Sequence, residues 1–182
     1  MISKKMAEAI NDQMIREMYS AYLYMSMSSF SNGLGLKGFA NWLMVQYHEE
    51  MFHAMKMYEY LQSQGAETRL KQIDEPPAQW ESPLDMFQKV LEHEQKVTKW
   101  INELMEIAIE EKDHASQIFL QWYVTEQIEE EENDNDIIAP LKLIGNDPQG
   151  LLMLDKDLAA RVATVPTDFS KGVQAASKAA GE

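Results

Sequence analysis

The chain has 182 residues, with 16 basic against 30 acidic side chains and a formal net charge of -14. That balance opposes binding to nucleic acid, which favours basic patches, and creates a field that draws cations. With no cysteine, disulfides and thiolate metal sites are excluded, so any metal must be held by oxygen and imidazole.

No apolar run follows Lys4 and Lys5, and no stretch of eighteen apolar residues occurs, so neither a signal peptide nor a membrane span is expected. A cytoplasmic location is the default. Ser3 is a candidate N-cap, and Ile10, Met14, Tyr22, Met25 and Phe30 recur at helical spacing. The first helix is therefore predicted over 4–31, broken by Asn32-Gly33 and Gly35. A second is predicted over 37–64 through Phe39, Leu43, Val45, Met51, Met55, Tyr58 and Leu61, with Gly65 as the closing residue. Residues 66–81, with Pro76-Pro77, form a connection long enough to lay the next helix parallel to the second.

Ser82-Pro83 opens a third helix, to about residue 111. A polar turn at Lys112-Asp113 leads to a fourth over 114–138, with Pro140 just beyond its end. Asp147-Pro148 starts a short fifth helix over 148–161. The expected architecture is an all-α four-helix bundle with one long crossover and a short fifth helix. Residues 1–161 form the domain, and 162–182, rich in Ala, Ser and Gly, form a flexible tail.

Acids stand where these helices should face the core. Glu50 and His53 are three residues apart and leave one helix face, with Glu49 at its edge. Glu126 pairs with Glu129, and Gln127 with Glu130, at the same spacing on the fourth helix. Glu17 and Tyr24 lie two turns apart on the first, and Glu94 lies mid-way along the third. Burying a carboxylate is costly unless a cation or donors meet it, so metal ligation explains an acid on every helix. Acid runs are ordinarily solvated faces, and the force of the pattern lies in the four-helix combination. Glu111 and His114 share the Glu-x-x-His spacing but fall at a turn, where they read as surface or channel lining. With Glu110 and Asp113 they are candidates for a pore.

Several segments resemble the non-haem bacterial ferritins over residues 1 to about 160. They are Arg16-Glu17-Met18-Tyr19-Ser20-Ala21-Tyr22-Leu23-Tyr24, Leu36-Lys37-Gly38-Phe39-Ala40, Glu49-Glu50-Met51-Phe52-His53-Ala54-Met55-Lys56, Leu91-Glu92-His93-Glu94, Phe119-Leu120-Gln121-Trp122 and Glu126-Gln127-Ile128-Glu129-Glu130-Glu131. The resemblance implies iron storage through a ferroxidase centre. One iron would be held by Glu17, Glu50 and His53, and a second by Glu50, Glu94 and Glu130, with Glu50 bridging. Gln127 would stand beside the pair, and Tyr24 would be an electron donor. A third, weaker iron site would use Glu49, Glu126, Glu129 and Glu130. It further implies a homomeric 24-subunit shell of octahedral symmetry, its four-fold axis lined by the fifth helix. Fe(II) would be oxidised there by dioxygen or hydrogen peroxide and stored as ferric oxide mineral.

Alternatives stay open. Met51 occupies the place of the haem-ligating methionine of bacterioferritins, but the second Glu-x-x-His of that branch is replaced by Gln127 and Glu130, so no haem is expected. Other di-iron proteins of this fold that detoxify peroxide or oxygenate a substrate also carry two such pairs. DNA-protecting mini-ferritins lack the fifth helix. His48 replaces a residue that is more often Gln or Glu in the family, and reads as a surface or subunit-contact residue. The tail is longer than the family's usual ending.

Overall fold

A computed structural model describes residues 2–170, 172 and 173. Among the described residues, the helices α1 Lys4–Gly33, α2 Lys37–Ser63, α3 Pro83–Glu110, α4 His114–Ile144 and α5 Pro148–Leu158 follow in order. Side-chain caps start four of them. Ser3 accepts from the Met6 amide at 3.0 Å, Ser82 from Asp85 at 3.1 Å, Asp113 from Ser116 at 3.0 Å, and Asp147 from Gln149 and Gly150. The Leu36 side chain gives α2 no cap. Asp155 of α5 supplies one instead, its Oδ1 accepting from the Gly38 and Phe39 amides at 2.7 and 3.0 Å.

Three boundaries differ from expectation. α1 runs through Asn32 to Gly33, and α5 stops at Leu158 rather than 161. The fourth helix does not end before Pro140; it passes through that proline to Ile144. A proline inside a helix forfeits one backbone bond. Ile137, Ile138 and Leu141 lie buried on both sides of it, and their packing holds the helix together. Termination falls to Gly145 at φ 56°.

The crossover, residues 64–82, is pinned along α1. Asn11 exchanges two hydrogen bonds with the Arg69 backbone at 2.8 and 3.0 Å, Ser26 donates to the Pro77 carbonyl at 2.6 Å, and Trp80 meets Phe30 edge-on. The link thus travels the bundle's length, and α3 starts at the end where α2 began, so the two run parallel. α5 closes on the N-terminus of α2 so tightly that a Cβ on Gly38 would stand 1.5 Å from the Asp155 carbonyl oxygen.

The bundle has two apolar cores. One gathers Met27, Phe39, Leu43, Phe87 and Leu141; the other gathers Met14, Met57, Leu61, Ile101 and Leu120. Between them, at one level in all four long helices, lies a buried polar layer containing Glu17, Glu50, His53, Glu94, Gln127, Glu130 and Asp134. The beginning of the expected tail is placed against α2, where the Val173 amide donates to Glu59 Oε1 at 2.6 Å. Residues 171 and 174–182 of that tail lie outside the described residues.

Candidate metal centre

Each long helix delivers an acid to the polar layer because apolar turns above and below it hold that face inward. Glu17, Glu50, His53, Glu94 and Glu130 are all at most 3% exposed. His53 Nδ1 lies 3.7 Å from Glu50 Oε2 and 4.0 Å from Glu17 Oε2, and its Nε2 lies 3.9 Å from Glu126 Oε1. Two groups therefore bring ligand atoms within 4.8 Å of one another: Glu17 with Glu50 and His53, and His53 with Glu126 and Glu130. Glu94 stands apart from both triads, bound by the Tyr24 hydroxyl at 2.5 Å and by Gln127 Nε2 at 3.2 Å.

Donors reach part of this negative charge. Gln13 donates to Glu17 Oε1 at 2.8 Å, and Gln46 to Glu130 Oε2 at 2.8 Å. Glu17 Oε2 and His53 Nε2 are buried without a hydrogen-bond partner among the described residues. Burial pushes the Glu17 carboxyl up to about 7, the Gln13 bond opposing it. Glu50 and Glu130 are held well above the usual carboxylate range, by burial first and then by their acidic neighbours. Burial lowers His53 to about 3, which keeps the imidazole neutral and fit to ligate. Crowded, desolvated carboxylates with an orphaned oxygen and an orphaned ring nitrogen suit a small hard cation. A bound dication would replace the protons that these acids otherwise retain.

The other expected residues fall around this layer. Glu49 is buried, but its carboxylate accepts from Arg161 at 2.7 Å. Glu126 is half-buried and Glu129 exposed. His48 is half-buried against the Tyr47 ring. Glu110 meets Lys5, Glu111 accepts from Ser3, and Asp113 caps α4, while His114 is exposed.

Four neighbours of the centre carry little signal in the sequence pattern. Gln13 and Gln46 look like ordinary helix polars. Asp134 is fully buried with both oxygens unpartnered among the described residues, and burial raises it to about 9. Arg161 comes from beyond α5. A carboxylate one turn past Glu130 was the one available signal for Asp134, and the surrounding acid run concealed it.

The arrangement defines a class: ferritin-like bundles with a buried carboxylate–histidine metal layer. Residues 7–144 match the family model described as a ferritin-like domain. The bacterial non-haem ferritin of Bacteroides fragilis strain 638R is 41% identical over 161 residues, 88% of this chain and 100% of that protein. That of Staphylococcus haemolyticus is 40% identical, over 88% of this chain and 97% of its own. An open-pore ferritin from the hyperthermophilic archaeon Archaeoglobus fulgidus superposes with a TM-score of 0.88 at 52% identity, covering 89% of this chain and 100% of that one. The chain belongs to the bacterial non-haem ferritin family.

Proposed function

We propose that this chain oxidises Fe(II) at the polar layer and stores the product as ferric oxide mineral inside a shell of 24 subunits with octahedral symmetry. One observation carries the proposal: four helices converge acids and a neutral imidazole on one buried layer, leaving Glu17 Oε2 and His53 Nε2 without a hydrogen-bond partner among the described residues. Iron is the substrate. Glu17, Glu50 and His53, which already lie together, take one ion; Glu50, Glu94 and Glu130 take the other, Glu94 turning toward it from its contacts with Tyr24 and Gln127, so that Glu50 touches both.

Carboxylates are hard donors that favour Fe(III) over Fe(II), so the ligand set itself promotes loss of one electron from each ion. Dioxygen or hydrogen peroxide accepts those electrons. Tyr24 and Gln127 hold Glu94 in place, and Tyr24 is positioned to supply an electron. A lone histidine among acids keeps the centre weak enough to release its product. Glu49, Glu126, Glu129 and Glu130 form a third, weaker position on the flank of the pair.

Residues 1–161 act as the working domain and 162–182 as an appended tail, a division supported by the 161-residue length of the match to relatives. Among the described residues no helix is long and apolar enough to cross a membrane. A cytoplasmic shell without haem, and without nucleic-acid or membrane partners, completes the reading. Light scattering tests the shell: 24 chains of 20.9 kDa give about 500 kDa. Stopped-flow oxidation of two Fe(II) per subunit tests the centre. A dimer, or a protein that oxidises iron no faster than buffer, would overturn the proposal.

A further inference from the structure

We infer that Arg161 is a built-in cation for the third metal position: its guanidinium holds the Glu49 carboxylate that a third iron would need, and so weakens that position. The inference rests on the function proposed above, because it presupposes the pair and its flanking site.

Arg161 lies three residues past the last residue of α5, and its placement is determined on several sides. Asn41 donates to its carbonyl at 2.9 Å, fixing the backbone. Its guanidinium sits over the Trp42 ring, 4.3 Å from the centroid. Nη2 donates to Glu49 Oε2 at 2.7 Å and to Gln46 Oε1. The Gln46 amide passes the contact inward, its Nε2 donating to Glu130 Oε2 at 2.8 Å. One arginine therefore touches a ligand of the third position directly and a ligand of the pair through a single amide. The side chains of Arg161 and Glu49 are only 21% and 10% exposed, so solvent screens the ion pair poorly.

Charge decides the consequence. A dication held by Glu49, Glu126, Glu129 and Glu130 would be placed beside a guanidinium that cannot lose its proton. Iron must displace Arg161 or bind against it. Lys56, over the Trp122 ring, is a second cation that acts on Glu126 through space, whereas Arg161 is hydrogen-bonded to Glu49, so direct competition falls at Glu49. Arg161 is a positioning residue, and the charge it carries weakens the third position.

The test is an anaerobic calorimetric titration of the whole protein with Fe(II), repeated with Zn(II), which cannot be oxidised. Wild type should take two ions per subunit and a third only weakly. Arg161→Gln should bind the third at least tenfold more tightly. Arg161→Lys, which keeps the charge, should stay near wild type. Adding Glu49→Gln to Arg161→Gln should abolish the gain. A third-ion affinity unchanged in Arg161→Gln, with the first two ions still bound, would overturn this inference alone. So would a gain that survives Glu49→Gln, or one shared by Arg161→Lys. A wild type that binds no pair would overturn the proposed function and this inference with it.

Discussion

The Tyr24 hydroxyl donates to Glu94 Oε1 at 2.5 Å, joining α1 to α3 within the metal layer. Burial and the acids around it push the phenol well above its usual range, so it remains a donor at any physiological pH. Tyr24→Phe leaves a buried carboxylate oxygen without that donor. Metal-free protein should lose about 1–3 kcal/mol in urea unfolding, and the second ion should bind more weakly by calorimetry.

Glu50 should be the most damaging single site. It lies 3.7 Å from His53 and is proposed to touch both ions. Glu50→Ala should slow initial iron oxidation by at least 100-fold in stopped flow. The loss should not add to that from Glu17→Ala, because both remove ligands of one ion. Wild-type rates in Glu50→Ala would refute the bridging role.

Helix-four acids should separate by depth. Glu126 Oε1 is 3.9 Å from His53 Nε2, whereas Glu129 is exposed. Glu129→Ala should leave the first two ions oxidising quickly and change mainly the oxygen consumed per iron. Glu126→Ala should also slow the fast phase, because Glu126 lies within ligand distance of His53 and Glu130 as well as in the third position. The comparison is made with an oxygen electrode beside stopped-flow absorbance, and equal effects of the two variants would contradict it.

The metal-free protein should weaken as pH rises. Burial lifts Glu17 from 4.5 to about 7 and Asp134 from 3.8 to about 9. The folded chain keeps protons that the unfolded chain releases, so stability falls with pH between each pair of values. The contribution is full below the unfolded pKa and gone above the folded one. Thermal midpoints should decline from pH 5 to 9. Asp134→Leu should flatten the decline above pH 7 and add about 1–3 kcal/mol at pH 8, because it removes an unpartnered buried acid.

Metal binding near neutrality should release protons, since Glu17, Glu50 and Glu130 all hold theirs more tightly than usual. Calorimetry of Zn(II) in buffers of different ionisation enthalpy measures the number. No buffer dependence at pH 6.5 would contradict the raised carboxylates.

Helix starts are legible at Ser3, Ser82 and Asp147 because capping bonds are local, while Asp113, read as a turn residue, proves to cap α4. The metal layer was legible because Glu17, Glu50 and Glu94 interrupt apolar periodicity. Asp134 was hidden by the acids around it, since a run from Glu129 to Asp136 reads as a solvated face. Proline's local propensity stops a helix before Pro140, and only the packing of Ile138 and Leu141, which is not local, carries α4 through it. Nothing local could reveal Arg161 at Glu49, a contact across 112 residues, nor the capping of α2 by Asp155.

The missing Cβ of Gly38 has one more consequence. α5 fully buries only Leu158, packs Leu151 and Leu154 part-buried against the core, and is otherwise held by Asp155, by Asn41 at the Leu158 carbonyl and by the close approach at Gly38. It is therefore a small unfolding unit, able to detach while the four long helices stay intact. Its amides should exchange with deuterium well before those of α1 to α4. Gly38→Ala should speed that exchange selectively, turning one α-carbon into the latch that sets how often the last helix lets go.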